Sequence, residues 1–422
     1  MLVDKKRYAL VGTGFRGMTM FARPIVRDYA AQAELVGVFD TNPKRMDCAL
    51  EWLRGNVPGF TRDVPKFSDF DKMLSDSKCD CVIVASRDCT HADYVVRALR
   101  AGKRVYVEKP LCTTAAQCRA ILAAQKETGG VCLTTHNMRY DAACQSIRSI
   151  MMQERTGKVR HIQFDETLDR THGADYFRRW HRNKADSGGL QIHKASHHFD
   201  AINWWIGSRP AHVSAQGSLK FYGRCNSYRG PRCSACPHAP SCPMHVDYAK
   251  IDIYKKLYFD AESADGYFRD GCVFDPSIDI EDQIHAHIRY ENGVEADYSL
   301  TAYVPYESLR VAVDGTMGRL EYQSAYSARN IAALAEQSAE SMRLLMPGYD
   351  IMDVPINRNQ GDHGGADPML LKDFLTRDWG LDPLPEMASV QQAAQAVLIG
   401  SAINKSLATG QGVDVQELLE HD

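Results

Sequence analysis

Over the first third of the chain, short apolar runs alternate with stretches of helical period. Tyr8–Val11, Glu34–Phe39, Cys81–Ala85, Arg104–Val107 and Val131–Thr134 read as strands, and Asn42–Leu53, His91–Ala101 and Thr114–Thr128 as the helices between them. This alternation predicts right-handed βαβ units around a parallel sheet. Gly102 and Gly129-Gly130 stand where helices should stop. Past about Thr135 the pattern changes. A helix over Tyr140–Gln153 precedes a long strand, Val159–Leu168, and a helix over Gly188–Ile206. Extended runs then dominate: Val213–Phe221, Gln283–Tyr290, Val294–Tyr303, Leu309–Val313 and Gly318–Tyr322, with Asn292-Gly293 as a hairpin signal. The expectation is an α/β domain over residues 1–135, then an α+β domain over 136–422 with a large, mostly antiparallel open β-sheet. The second domain carries a Cys- and Pro-rich insertion at 223–245 and a long helix over 388–407 that returns to the first.

Composition narrows the setting. A chain of 422 residues is too long for one ordinary core. The net charge of −3 is spread without a basic block, so neither nucleic acid nor an anionic membrane is an expected partner. No apolar run reaches membrane-spanning length, and the first residues lack the pattern of a signal peptide. Most of the 13 cysteines are scattered singly, as small buried hydrophobes are, which fits the reducing cytoplasm.

Val11-Gly12-Thr13-Gly14-Phe15-Arg16-Gly17 is a Gly-x-Gly-x-x-Gly that follows an apolar strand and opens a helix. Gly12 permits the tight turn, Gly14 lets backbone approach a pyrophosphate, and Gly17 allows close helix–strand packing. Phe15 and Arg16 lie in the same loop. Asp40 ends the second strand, where a carboxylate binds ribose hydroxyls and repels a 2′-phosphate. The reading is a Rossmann domain that takes NAD in preference to NADP, with Thr41 and Arg45 beside Asp40; Lys44 and Arg45 temper that preference. The bland alternative is a Gly-rich turn with an acid nearby.

Ala98-Leu-Arg-Ala-Gly102-Lys-Arg-Val-Tyr-Val-Glu108-Lys109-Pro110 resembles the signature of the Gfo/Idh/MocA oxidoreductases. His91, Asn137, Arg139-Tyr140, Gly157-Lys-Val159 and Gly315-Thr-Met-Gly318 extend the likeness along most of the chain. The resemblance implies hydride transfer at hydroxyl or keto carbons of sugars, inositols and related polyols, in a homodimer or homotetramer. It places Lys109 against both substrate hydroxyl and nicotinamide, with Glu108 orienting it, and adds Ser86, His91 and Asn137 to the cofactor site and Arg139 to the substrate site.

Relatives show Gly-Gly-x-x-x-Asp-x-Gly-x-His-x-x-Asp, whereas this chain reads Gly188-Gly-Leu-Gln-Ile-His193-Lys-Ala-Ser-His197-His-Phe-Asp200. At helical spacing His193, His197, Asp200 and Trp204 share one face. His197 is the candidate base, since an imidazole titrates near neutrality. His193 assists it or holds a substrate hydroxyl, Lys194 binds another, and Asp200 orients a neighbour. A His193/His197 metal pair lacks the Glu that a zincin has at position 194. Tyr176 and Trp180, in a stretch dense in aromatic and polar groups, suit stacking on a sugar. His363-Gly-Gly-Ala-Asp367 resembles a further loop folded toward the site.

Cys233-x-x-Cys236-x5-Cys242 has metal-like spacing, and soft thiolates favour zinc or iron–sulfur. Cys225 and Cys272 compete as fourth ligand; Cys272 is favoured by the resemblance, and a structural zinc would staple a loop poor in apolar residues. Two further functions stand beside the dehydrogenase: NAD-dependent glycoside cleavage through transient oxidation and elimination, and a non-catalytic NAD-binding protein.

Overall fold

The computed structural model describes residues 5–325, 340–348, 350–358, 360–377 and 386–420. Its strands, in chain order, are β1 (Lys6–Val11), β2 (Ala33–Phe39), β3 (Lys66–Phe67), β4 (Cys81–Val84), β5 (Arg104–Val107), β6 (Cys132–Thr134), β7 (Val159–Asp169), β8 (Pro210–Ser218), β9 (Gln283–Tyr290), β10 (Glu295–Val304), β11 (Ser308–Gly315), β12 (Arg319–Ala325), β13 (Ser341–Leu345), β14 (Ile351–Asp353), β15 (Ala388–Ser389) and β16 (Val413–Asp414). They form two sheets, in the orders β15-β6-β5-β4-β1-β2-β3 and β14-β13-β12-β11-β7-β10-β9-β8-β16.

The first sheet is parallel from β6 to β3, because each strand is returned by a crossover helix. Helices cover both its faces, so Tyr8–Val11 and Cys81–Val84 are buried throughout. The turn from β1 into the next helix needs glycine: Gly12 has φ +90°, and a Cβ there would lie 2.4 Å from the Ala85 carbonyl oxygen. A Cβ on Gly17 would lie 2.1 Å from the Gly12 carbonyl oxygen.

The second sheet pairs antiparallel everywhere except between β7 and β10. Ile284, Ala286, Ile288 and Tyr290 point into the core from β9, alternating with exposed or half-buried residues on the other face. β8 ends at Ser218, short of the expected Phe221, because the Asp282 carboxylate accepts the backbone N–H groups of Lys220, Phe221 and Tyr222 and turns the chain away.

The chain end completes the first domain. β15 adds antiparallel to β6, and the helix Val390–Thr409, closed by a Ser389/Gln392 capping box, packs on the helix Ala115–Thr128. Phe374, on the helix Ala366–Thr376, stacks on Tyr106 with ring centroids 3.8 Å apart and meets Tyr8 and Phe21 edge-on.

One expected element is broken. The stretch Gly188–Ile206 is two helices, Leu190–His193 and Ser196–Ile206, preceded by a short turn of helix at Lys184–Ser187. A continuous helix would bond the His197 N–H to the His193 carbonyl; instead it reaches the Lys194 carbonyl at 3.4 Å, and the Lys109 ammonium donates to the His193 oxygen at 3.0 Å. The single face expected for His193, His197, Asp200 and Trp204 is therefore divided at Lys194-Ala195.

No helix of the described residues is long and apolar enough to cross a membrane.

Candidate active site

The glycine loop sits at the carboxyl ends of β1 and β4, where open α/β sheets bind ligands. Around it the polar groups are already organised. Arg16 donates to Glu108 at 2.7 Å and to Asp367 at 3.0 Å; Asp367 also accepts from Asn137 and pairs with His363. The hydrogen bonds from His363 and Asn137 and the charge of Arg16 hold the Asp367 carboxyl well below its usual range despite its burial. His91 is fully buried, with its two ring nitrogens on the Pro110 and Ser86 carbonyls; burial lowers its pKa, and the two carbonyls pull the other way. The Ser86 hydroxyl bonds Thr90.

Asp40 stands where the ribose would lie, and its oxygens accept from the Thr13 amide and hydroxyl, the Asn42 amide and Arg45. Arg45 does not face the nucleotide position as expected. It is buried between Asp40 and Asp265, and its Nε donates to the Leu257 carbonyl. It anchors a segment, residues 252–268, that folds over the loop. From that segment the Tyr258 hydroxyl accepts the Phe15 N–H at 2.9 Å, an amide that opens toward a pyrophosphate in this fold. Thr41 is exposed at the end of β2. Gly12→Ala adds about 1–3 kcal/mol of backbone strain before its clash with Ala85 is counted. The variant is expected to bind nicotinamide nucleotide at least about tenfold more weakly in a fluorescence titration, with a lowered Tm.

Lys109 follows β5, its backbone N–H held by Glu108 and Thr135, and its following peptide bond to Pro110 is cis. Desolvation lowers its pKa to about 8, with Asp88 and Glu108 pulling the other way and Lys194 and Arg16 adding to the fall. His193 turns its ring from the broken helix toward Asp88, 2.5 Å from Nδ1 to Oδ2, and lies 3.9 Å from the His181 ring centroid. Burial lifts the Asp88 carboxyl well above its ordinary range and pulls both imidazoles well below theirs, so a proton shared between Asp88 and His193 carries no net charge. Donor atoms of Asp88, His181 and His193 fall within 4.8 Å of one another, a spacing a cation could also bridge. Trp180 stacks on His181 at 3.6 Å, and Tyr176 lies 5.4 Å from His193 with its hydroxyl on His172.

His197 packs against His136 rather than His193, and its Nδ1 and both His136 nitrogens have no hydrogen-bond partner, although the Asp200 carboxylate stands 3.9 Å from His136 Nδ1. His181 Nδ1 is likewise unpartnered. Buried polar atoms of this kind are costly unless a ligand or water meets them, so the cleft is set to receive hydrogen-bonding groups. Lys194 pairs with Glu166 at 3.4 Å; burial pushes that carboxyl up to about 7. Arg139, expected to touch substrate, is instead fully buried and bound bidentately to Asp200 at 2.7 Å through both contacts. It locks the second half of the broken helix to the turn that follows β6.

Sequence reasoning missed Asp88, His181, His136 and Glu166. Asp88 falls four residues beyond the end of β4, where a crevice residue is expected, and His181 lies inside the aromatic stretch already singled out; His136 and Glu166 carried no local signal.

The chain matches the Oxidoreductase family model for the NAD-binding Rossmann fold over residues 6–136 and that family's C-terminal alpha/beta domain over 149–415. It belongs to the Gfo/Idh/MocA family. It is 32% identical to YteT of Bacillus subtilis (strain 168) over 440 aligned residues, 98% of this chain and 99% of that one. An inositol 2-dehydrogenase of Rhizobium meliloti (strain 1021) is 27% identical over 50% of this chain and 58% of its own. A levoglucosan dehydrogenase solved with NADH and levoglucosan shares the fold with a TM-score of 0.67 at 18% identity, covering 98% of this chain and all of that one. The chain is an oxidoreductase of a family whose similar members include inositol dehydrogenases, with an NAD-binding Rossmann fold.

Proposed function

We propose that this oxidoreductase transfers hydride between a hydroxyl-bearing carbon of a sugar, glycoside or cyclitol and the nicotinamide of NAD. The observation that carries the reading is the convergence of Lys109, the Asp88–His193–His181 set and unpartnered imidazole nitrogens beside the glycine loop. Inositol and levoglucosan dehydrogenases among its relatives support the substrate class. Gly12, Gly14, Phe15, Arg16 and Gly17 would cradle the pyrophosphate, and Asp40 the ribose. NAD is favoured over NADP because Asp40 is an acid and the nearby Arg45 is already neutralised by Asp40 and Asp265.

The bound nicotinamide supplies the hydride acceptor; the chain's residues handle the proton. Lys109 contacts the reacting oxygen, stabilising negative charge there as an ammonium and taking the proton as an amine. His193, its ring fixed by the hydrogen bond to Asp88, holds a substrate hydroxyl, and His197 offers its free nitrogen to a neighbouring one. Trp180 and Tyr176 flank the apolar face of the ring, and Lys194 with Glu166 holds a distal hydroxyl. A panel of sugars, glycosides and cyclitols assayed with NAD by NADH absorbance and product mass is expected to give one class that yields NADH and a product two mass units lighter. Absence of turnover across the panel in protein that binds NAD would sink this reading in favour of a non-catalytic role.

A second reading draws on Glu166, poised near neutrality beside Lys194, which adds an acid–base group beyond the one proton that alcohol oxidation needs. In that reading, oxidation acidifies a neighbouring C–H, and elimination, water addition and re-reduction cleave a glycosidic bond. Aglycone release without net NADH distinguishes it.

A further inference from the structure

We propose that residues 252–268 form the outer wall of the cofactor cleft, with the Tyr258 hydroxyl binding the pyrophosphate and Asp265 selecting NAD over NADP. The proposal rests on the NAD reading above and extends it beyond the glycine loop and β2. Over the loop, Tyr258 accepts the Phe15 N–H at 2.9 Å, and its hydroxyl would lie 3.3 Å from a Cβ on Gly14. Tyr254 meets the Phe15 ring edge-on, with centroids 5.2 Å apart. Past β2, Asn42 donates to the Ala261 carbonyl at 3.0 Å, Arg45 to the Leu257 carbonyl at 3.2 Å and Lys44 to the Ser263 hydroxyl at 3.2 Å. The segment thus spans the two places that hold the adenosine half of a dinucleotide in this fold.

It is anchored at its far end too. Arg269 is buried, pairs with Asp175 at 2.7 Å and lies over the Tyr248 and Tyr254 rings at 4.7 and 4.8 Å. Asp175 belongs to the helix Arg170–Arg178, which also carries Tyr176. Behind the segment stands the Cys-rich loop. Arg232 pairs with Glu262 at 3.0 Å and with Asp270 at 2.7 Å, and beside it Cys233, Cys236, Cys242 and Cys272 line one small cavity of about 20 Å³. Cys225 is exposed, outside that lining.

A phenol carries one proton and two lone pairs. Tyr258 spends a lone pair on the Phe15 amide, and among the described residues its proton meets no acceptor. The hydroxyl therefore carries the amide's donor capacity one group outward, at the mouth of the loop where this fold presents donors to a pyrophosphate. Bonds from such a donor to a charged oxygen are the strong kind. The segment also decides which cations a nucleotide meets. A 2′-phosphate calls for a free Arg or Lys beside the ribose. Arg45 is instead held between Asp40 and Asp265, 2.6 Å from the latter, and Lys44 lies on Ser263. Asp265 thereby cancels a charge that NADP would use and NAD does not need.

Calorimetric titration of the full chain with NADH, NADPH and ADP-ribose tests both roles without turnover. Tyr258→Phe should weaken NADH and ADP-ribose alike by about tenfold. Tyr254→Phe, which keeps the ring contact, should bind both within about twofold of the unaltered chain. Asp265→Asn should raise NADPH affinity relative to NADH by about tenfold. Should that variant fail to fold, Ser263→Ala releases Lys44 and should move the same ratio in the same direction. A Tyr258→Phe chain that binds NADH as well as the unaltered one, or an NADPH-to-NADH ratio that stays put, overturns the proposal. An unaltered chain that binds no nicotinamide nucleotide sinks the NAD reading itself, and this inference with it.

Discussion

Replacing Lys109 with methionine is expected to leave nicotinamide binding within about twofold and to lower kcat/KM for the alcohol by about three orders of magnitude. The methionine fills a similar volume but cannot donate to the reacting oxygen or accept its proton. The pH dependence gives a sharper signature. Burial lowers the lysine to about 8, so it is an ammonium below that pH and an amine above it. Alcohol oxidation needs the amine and should rise as pH climbs through about 8; carbonyl reduction needs the ammonium and should fall over the same interval. Lys109→Arg keeps the charge but cannot deprotonate, so the oxidation limb near 8 should vanish while binding survives. Steady-state rates in both directions across pH 6–10 check the sign, and a Lys109→Met enzyme with an unchanged inflection would place the titrating group elsewhere.

The second large effect is on stability. Asp200→Ala strands the Arg139 guanidinium, 1% exposed, without its bidentate partner. Breaking one side of a buried pair costs about 3–5 kcal/mol. Gln392 and the Trp204 ring, the other groups on Arg139, carry no formal charge to replace the carboxylate. Urea unfolding should show the loss as a lower midpoint, and the double variant Arg139→Met/Asp200→Leu should recover most of it by leaving no charge behind. If the double variant is no better than the single one, the pair contributes shape rather than charge balance.

Local patterns carried the first domain. Strands β1, β2, β4, β5 and β6 and the glycine turn are visible in sequence because parallel strands buried on both faces read as apolar runs, and the turn admits only glycine at residue 12. The break at Lys194-Ala195 is not visible. Neither residue is a helix breaker, and the cause is tertiary: Lys109 takes the His193 carbonyl, Asp88 the His193 ring and Glu166 the Lys194 ammonium. The same distance in sequence hid the role of residues 252–268, since the pairs that bring Tyr258 to Phe15 and Asp265 to Arg45 are more than two hundred residues apart. The resemblance points Arg139 at substrate, whereas its charge is consumed by a carboxylate 61 residues on.

The Phe374–Tyr106 stack and the β15–β6 pairing have a consequence for modularity. A fragment cut after residue 136 would expose Tyr8, Phe21 and Tyr106 together with the open edge of β6, a ready surface for self-association. A transplantable nucleotide-binding unit from this chain must therefore be assembled from both of its ends, with the helix 366–376 and the segment from Ala388 through the first turns of the terminal helix supplied alongside. Shuffling of substrate domains between relatives would then proceed by replacing the middle of the chain, as an insert, rather than by exchanging its carboxyl-terminal half.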